Sequence, residues 1–211
     1  MIAISTAYKK ALIGVDIEGA KAYKELDSNC KHSENILPSL DETIAKTGKN
    51  FKDNDCFALV VGPGSFTGLR IGISLVKGFL AGGGEKKIVG VTTHELMAYT
   101  YIKKFQPSEN FTCVVDALSG LYYVCEFSSQ GEKLCEEKLI EREQLLNIKG
   151  KLIGLSEENV DEAAEKVEPS AEDLLELSLK KQLEDRFVRS EELKPLYLRK
   201  SQAEASLDKT K

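Results

Sequence analysis

The sequence predicts an α/β fold, and two observations carry that prediction. Residues 56–61 are an uncharged run that predicts a strand covered on both faces, and the run ends at Gly62-Pro63-Gly64. Three short strand patterns and one helix pattern precede this strand, and a helix, a strand and a helix follow it. An order that begins βββαβα is typical of an α/β domain whose helices cover a sheet.

The first half of the chain gives most of these elements. Residues 1–5, 11–17 and 20–26 predict three strands of a meander, and residues 32–47 predict a helix with Pro38 opening or kinking its first turn. Ser65 or Thr67 is a candidate cap for a helix over residues 66–81. A strand at 88–91 and a helix at 93–104 complete this half.

A shorter second half follows the loop at residues 107–110. It predicts strands at 111–116 and 121–127, a charged strand at 132–140, a strand at 151–155 and an amphipathic helix capped by Ser170. The expected domains are therefore 1–106 and 107–200. Residues 201–211 contain almost no apolar side chains and predict a mobile tail.

The predicted helix at 66–81 has more apolar surface than one sheet can cover. A core-facing helix needs an apolar arc of roughly 100°, and this helix has about twice that. The surplus must be covered by another part of the chain or by another molecule. The apolar residues of this helix form two strips. The first is Leu69, Ile73, Val76 and Leu80, and the second is Ile71, Leu75 and Phe79. We expect the second strip to face outward.

Gly64, Gly68 and Gly72 recur every four residues and so form one row. A row of small residues lets a second backbone approach closely, which suits a helix crossing. The alternative is a phosphate cradle at the helix N-terminus. A phosphate loop of the GxxxxGK[ST] kind has lysine where this chain has Leu69, so the pattern favours packing.

Composition limits the possible functions. The 211 residues include 42% hydrophobic ones and no apolar run long enough to cross a membrane, and we expect a cytoplasmic protein without a signal peptide. The formal charge of −5 argues against autonomous nucleic-acid binding. Five cysteines without a CxxC pair predict reduced, buried thiols. His32 and His94 lack a second ligand at metal-binding spacing, so no metal site is expected.

Four segments carry a resemblance to a known family. GPGSFTGLRIG at 62–72 is similar to the signature of the TsaB (YeaZ) family, and KHSENILPSLDE at 31–42, VDALSGLYY at 115–123 and PLYLR at 195–199 resemble further segments of it. These bacterial proteins take part in threonylcarbamoyladenosine modification of tRNA and are paralogues of the catalytic TsaD subunit. The resemblance implies an actin-like, ribonuclease-H-like (ASKHA) fold with two related subdomains, the second shortened.

The resemblance also implies a nucleotide cleft in which some of the ligand residues are missing. The catalytic paralogue has HxxxH where His32 begins a helix, but here the fourth residue after His32 is Ile36. Family members usually have aspartate in the first hairpin, where this chain has Ser5. Asp116 matches the second carboxylate position, or it simply opens a turn. The vestigial cleft would comprise Ser5, Gly62, Gly64, Ser65, Asp116 and Gly120.

The favoured function is a non-catalytic scaffold that dimerises with a TsaD-like subunit, which transfers the threonylcarbamoyl group to adenosine 37 of tRNA. A TsaE-like ATPase would join these two subunits, and ATP and Mg²⁺ would bind in that complex. The chain would contact tRNA only through the complex. The isolated chain would form a homodimer. The alternative is an autonomous ATPase or phosphotransferase that uses Asp116 and the Gly62–Gly64 loop. The expected interface residues are Ile36, Leu40, Ile44, Gly68, Ile71, Gly72, Leu75 and Phe79.

Overall fold

The computed structural model describes residues 1–27, 31–83, 86–158, 160 and 164–198. The predicted tail at 201–211, Arg199 of the PLYLR segment and Cys30 lie outside these residues. The described chain forms two five-stranded sheets with helices between and beside them.

The first sheet has the strand order β3-β2-β1-β4-β5. Strand β1 pairs antiparallel with β2 and parallel with β4, and β4 pairs parallel with β5. The strands are β1 (Ile2–Ser5), β2 (Ala11–Ile17), β3 (Ala20–Leu26), β4 (Cys56–Gly62) and β5 (Lys87–Thr92), and the helices of this half are α1 (His32–Thr47), α2 (Phe66–Ala81) and α3 (Thr93–Phe105), with a 3₁₀ turn at Phe51–Asp53.

The second sheet has the order β10-β9-β6-β7-β8. It repeats the antiparallel hairpin and the parallel neighbour of the first sheet, because β6 pairs antiparallel with β7 and parallel with β9. Its elements are β6 (Phe111–Asp116), β7 (Leu121–Phe127), β8 (Lys138–Glu141), α4 (Arg142–Leu146), β9 (Lys151–Leu155), β10 (Glu165–Val167) and α5 (Ala171–Leu183).

The alternation of side chains along each strand builds a layered core. In β1, Ile2 and Ile4 pack with α1 and α2 on one face of the first sheet, whereas Ala3 faces the layer that contains α3 and α5. That layer also holds one face of the second sheet, through Phe111, Cys113 and Val115. The two sheets therefore share one buried cluster around α3 and α5.

Helix α5 belongs to the second half in sequence but packs on the first sheet. A Cβ atom built on Gly14 of β2 would lie 2.8 Å from Cβ of Leu175, so only glycine allows this approach. After α5 the chain continues along the first sheet. The backbone N–H of Val188 donates to the carbonyl of Ile88 at 2.9 Å, and that of Leu196 donates to Val61 at 2.8 Å.

Most predicted elements are confirmed, and the α2 boundaries and the Ser65 and Ser170 caps agree with the sequence. The strand predicted at 132–140 is confirmed only at its end, as Lys138–Glu141, and is wrong over 132–137, where an isolated bridge joins Lys133 to Phe127. Helix α4 and strand β10 were not predicted. Pro38 lies inside α1, which continues to Thr47. The division at residues 106 and 107 stays a prediction.

Among the described residues, no helix is long and apolar enough to cross a membrane. The thiols of Cys56, Cys113, Cys125 and Cys135 are free, and the first three are buried, as the sequence predicts for reduced cysteines.

Candidate functional site: a helix surface and a filled cleft

Helix α2 begins where the predicted cap places it. The hydroxyl of Ser65 accepts a hydrogen bond from the backbone N–H of Gly68 at 3.2 Å, which satisfies one of the free donors of the first turn. Leu69, Ile73 and Val76 are buried against the first sheet. The opposite strip, Ile71, Leu75 and Phe79, is half-buried and lies at the margin of the same core. An apolar strip therefore remains partly accessible on α2, on the side that the sequence favoured.

The ring of Phe79 packs on aromatic side chains of the core. It stacks on Phe57 with 5.5 Å between ring centroids and contacts Phe51 at 4.8 Å. Ile71 and Leu75 are also half-buried and pack against the same core, so all three side chains contribute to the partly accessible strip.

The α1 residues expected in the interface lie in the core of their own chain. The exposed fractions of Ile36, Leu40 and Ile44 are 3%, 1% and 6%, and they pack with Ile73 and Val76 beneath the two helices. A partner cannot reach them without unfolding α1. The apolar side chain that α1 presents to solvent is Leu37, which is 47% exposed. A role for α1 in partner binding stays a prediction, and it would have to use the outer side of the helix.

The glycine row does not face a second helix, which corrects the expectation drawn from its spacing. A Cβ atom on Gly68 would lie 1.9 Å from the carbonyl oxygen of Thr6, and one on Gly72 would lie 2.6 Å from the Thr6 hydroxyl. The Thr6 hydroxyl donates to the Gly68 carbonyl at 2.7 Å. The glycine row therefore packs against Thr6, directly after β1, and the close backbone approach lies within this chain.

The loop that ends β4 is also filled by this chain. The backbone N–H of Ser65 donates to the carbonyl of Ala7 at 2.9 Å, and a Cβ on Gly64 would lie 2.6 Å from the same oxygen. Gly62 has a φ of 115°, which suits the sharp turn into the cis Gly62-Pro63 peptide. The Ser65 N–H, which a phosphate cradle would need, is thus already occupied by a carbonyl.

Ser5, at the first carboxylate position of the family, is fully buried, and its hydroxyl accepts from the N–H of Ala7 at 3.4 Å. An aspartate here would be a buried carboxylate rather than a solvent-facing ligand. The position has neither a negative charge nor an opening to the surface.

Asp116, at the second position, opens a turn. Its carboxylate accepts the backbone N–H of Leu118 at 2.7 Å, and Gly120 ends this turn with a φ of 75°. Its own N–H donates to the carboxylate of Glu158 at 2.9 Å. Burial and the nearby Asp116 charge raise the pKa of Glu158 to about 7, although the Asp116 N–H bond opposes that shift.

Sequence analysis missed the contacts that join the two halves beside this loop. The N–H of Lys9, after β1, donates to the Glu157 carboxylate at 3.0 Å, and the Lys10 ammonium lies 2.6 Å from Glu168. These partners are about 150 residues apart in sequence, and no local motif marks them. The cleft side of the hairpin is therefore tied to the second half by its own side chains.

Both histidines make hydrogen bonds to backbone carbonyls. Nε2 of His32 is 2.9 Å from the carbonyl of Lys9, and Nε2 of His94 is 3.2 Å from that of Tyr123. Burial lowers the pKa of His94 to about 4, so its ring is neutral at pH 7. Within the part of the chain that the structure describes, no three His, Cys, Asp or Glu side chains come together as a metal-binding group. The expectation of no bound metal stays a prediction.

Comparison with solved structures places the fold. The chain superposes on YeaZ from Pseudomonas aeruginosa with a TM-score of 0.76 and 22% identity, covering 93% of this chain and 98% of the other. A second Pseudomonas aeruginosa structure, described as an uncharacterized protein with similarity to peptidase YeaZ, gives the same TM-score and identity over 94% of this chain and 98% of its own. The two sheets and their helices define a protein of the actin-like, ASKHA fold class.

Sequence comparison gives the family. The family model for TsaD, tRNA N6-adenosine threonylcarbamoyltransferase, matches residues 27–182. The tRNA threonylcarbamoyladenosine biosynthesis protein TsaB of Escherichia coli is 30% identical over 96% of both chains, and that of Haemophilus influenzae is 26% identical over 94% of this chain and 93% of its own. The chain belongs to the TsaB family, whose members are related to TsaD.

Proposed function

We propose that this chain is a non-catalytic subunit in the biosynthesis of threonylcarbamoyladenosine in tRNA, and that it binds a TsaD-like threonylcarbamoyltransferase through α2. Its curated relatives carry the name of that pathway. The observation that carries the proposal is the half-buried strip of Ile71 and Leu75 on a helix whose other side already covers the first sheet. Apolar surface beyond the need of the core is typical of a protein interface.

The partner surface would extend from this strip toward the outer side of α1, where Leu37 is exposed. When the TsaD-like subunit is missing, the same surface would pair with a second copy of the chain, because a twofold arrangement is the commonest closure. A stable contact of either kind buries on the order of 1,200 Å² or more. A TsaE-like ATPase would join the complex in the cytoplasm, and tRNA would be held through the partners.

The cleft residues support an accessory role. Ser5 is uncharged and buried, the Ser65 N–H is bonded to Ala7, and the Asp116 carboxylate is bonded to the Leu118 N–H. A hard cation and a phosphate chain need several anionic or carbonyl ligands that converge on one point. These residues do not fit that requirement, so ATP and Mg²⁺ are assigned to the complex and not to this chain alone.

The competing function is an autonomous ATPase or phosphotransferase of the same fold. It would need Asp116 and the Gly62–Gly64 loop to act together on a phosphate. Asp116 instead forms hydrogen bonds with Leu118 and Glu158 of its own half, and the Gly62–Gly64 loop packs against Ala7. Measured ATP hydrolysis by the isolated chain, abolished in Asp116→Asn, would establish this alternative in place of the scaffold.

Two substitutions on α2 test the proposed interface. Leu75→Glu places a charge on the half-buried strip and should leave a folded chain that no longer binds the TsaD-like subunit or itself. Ile73→Glu places the same charge at a position that is 6% exposed, where an unpaired buried carboxylate should lower the free energy of unfolding by about 3–5 kcal/mol. Sedimentation with and without the partner reports association, and thermal melts report folding.

The control is Ser108→Glu, because Ser108 is an exposed serine in the loop between α3 and β6, away from α2. It should fold and associate like the wild-type chain. If Leu75→Glu stays folded and still associates as tightly as Ser108→Glu, the α2 strip is not the interface.

A further inference from the structure

A groove of about 660 Å³ lies between α3, α5 and the turn that follows β7. It is on the opposite side of the first sheet from α1 and α2, so the proposed partner surface does not include it. Its floor is apolar. Ala98, Phe127 and Leu177 are buried there, and Ile102 packs against them. The size is within the range of small-molecule sites, which are commonly 300–1,000 Å³.

Basic side chains outnumber acidic ones among the residues that line the groove, although four of the five cations are paired with carboxylates. Five cationic side chains line it against three carboxylates, whereas the whole chain has a net charge of −5. Lys103 pairs with Asp173 and Glu176, and Lys133 pairs with Glu136 and Glu137. These four carboxylates do not line the groove. The cationic lining residues are Lys103, Lys133, Lys180, Lys181 and Arg186, and the acidic ones are Glu95, Glu132 and Glu184.

A buried ion pair fixes one wall. The Lys181 ammonium lies 2.7 Å from the carboxylate of Glu95, and the two side chains are only 7% and 12% exposed. Arg186 reaches the same carboxylate at 3.3 Å, and Glu95 also accepts the N–H of Thr92 at 2.7 Å. This network holds the start of α3 against the end of α5, so the groove is formed before any ligand arrives.

Lys180 differs from the other cations of the rim. It is exposed, and among the contacts of the described residues it has no carboxylate partner, whereas its neighbour Lys181 is fully paired. An uncompensated ammonium beside an apolar floor suits a molecule that has an apolar body and one negative charge.

We infer that this groove binds a small amphipathic anion, with a flat apolar part on the floor of Ala98, Phe127 and Leu177 and its anionic group at Lys180. The ligand would contact α3 from the first half and α5 from the second. This inference does not depend on the proposed function, because α2 takes no part in the groove.

A matched pair of fluorescent probes tests the site. Anilinonaphthalene sulfonate has the anionic group, and N-phenylnaphthylamine has nearly the same rings without it. The wild-type chain should bind the sulfonate saturably with one site per chain and more tightly than the neutral probe. Added salt should weaken only the sulfonate, because it screens the charge at the rim.

Two variants separate the charge from the floor. Lys180→Glu disturbs no ion pair and should weaken sulfonate binding roughly tenfold, which corresponds to about 1.4 kcal/mol, while the neutral probe is unchanged. Ala98→Leu fills the floor and should weaken both probes; a thermal melt establishes that it is folded. Lys77→Glu, an exposed lysine on α2, is the control and should change neither.

Equal affinity of the sulfonate for Lys180→Glu and Lys77→Glu would overturn the inference, as would the lack of a saturable site in the wild-type chain. Since Lys180→Glu alters an exposed side chain, loss of folding does not obscure this result. Association with the TsaD-like subunit should be the same for Lys180→Glu and Ala98→Leu as for the wild-type chain, which keeps the two proposals independent.

Discussion

The same substitution at two glycines of α2 should change stability in opposite directions. In Gly68→Ala the new Cβ would lie 1.9 Å from the Thr6 carbonyl oxygen, whereas contacts under 3.0 Å essentially never occur. Helix and strand would have to separate by about 1 Å, although the Thr6 hydroxyl holds them together at the Gly68 carbonyl. In Gly78→Ala nothing lies within 4 Å of the new Cβ.

The magnitudes follow from two opposing effects. Overpacking against a fixed backbone costs about 3 kcal/mol, and replacing glycine by alanine inside a helix returns about 1 kcal/mol. Gly68→Ala should therefore lower the free energy of unfolding by about 2 kcal/mol, and Gly78→Ala should raise it by about 0.5–1 kcal/mol. For a chain of this size these values correspond to a Tm lower by roughly 4–8 °C and higher by roughly 1–4 °C.

Urea unfolding and thermal melts followed by circular dichroism measure both variants under one set of conditions. If Gly68→Ala raises the Tm as Gly78→Ala does, then the glycine row does not seat Thr6, and its small residues would face outward as the sequence pattern suggested. A normal Tm with lost association would point to the same conclusion.

Two titratable groups give pH predictions of opposite sign. The pKa of Glu158 is raised to about 7, so its contribution to stability is complete below the unfolded pKa near 4.5 and is lost as pH rises through 7. Glu158→Gln should therefore stabilise the chain by about 1–2 kcal/mol at pH 8 and have no effect at pH 4.5. Urea unfolding at the two pH values measures both effects. Equal effects at both would contradict the assigned burial. The pKa of His94 is lowered to about 4, so its neutral ring stabilises the fold above the unfolded pKa near 6.5, and that contribution is lost as pH falls. The NMR chemical shifts of the ring should therefore stay constant from pH 8 to 5. A titration midpoint above pH 6 would show that the ring is hydrated.

Much of the first half could be predicted because its signals are local. Gly62-Pro63-Gly64 ends β4, Ser65 caps α2, and uncharged runs mark strands that are covered on both faces. The wrong expectation for the glycine row has a plain physical cause. Spacing placed Gly68 and Gly72 in one row but could not say whether that row meets a helix or a strand, and it meets Thr6, more than 60 residues earlier. A periodic pattern gives the face of a helix and not its partner.

The charged segment at 132–140 failed for a different reason. Lys133 pairs with Glu136 and Glu137 within the segment, and Leu134 is 45% exposed. Cys135 packs against the core and the N–H of Leu134 donates to Glu126 at 2.9 Å, but these local ion pairs replace a regular ladder, which begins only at Lys138. The cleft contacts Lys9–Glu157 and Asp116–Glu158 had no sequence signal, because each joins loops that only the tertiary fold brings together.

The exchange of helices between the two halves supports the fold through contacts that lie away from the cleft residues. Helix α3 packs on the second sheet and α5 on the first, and the buried cluster between the sheets contains residues from both. The Lys181–Glu95 pair and the bond from Lys103 to Asp173 connect the two helices directly. These contacts come from protein side chains on both helices. The uncharged, buried Ser5 takes no part in them, so the joining of the two halves does not depend on a charge at that position.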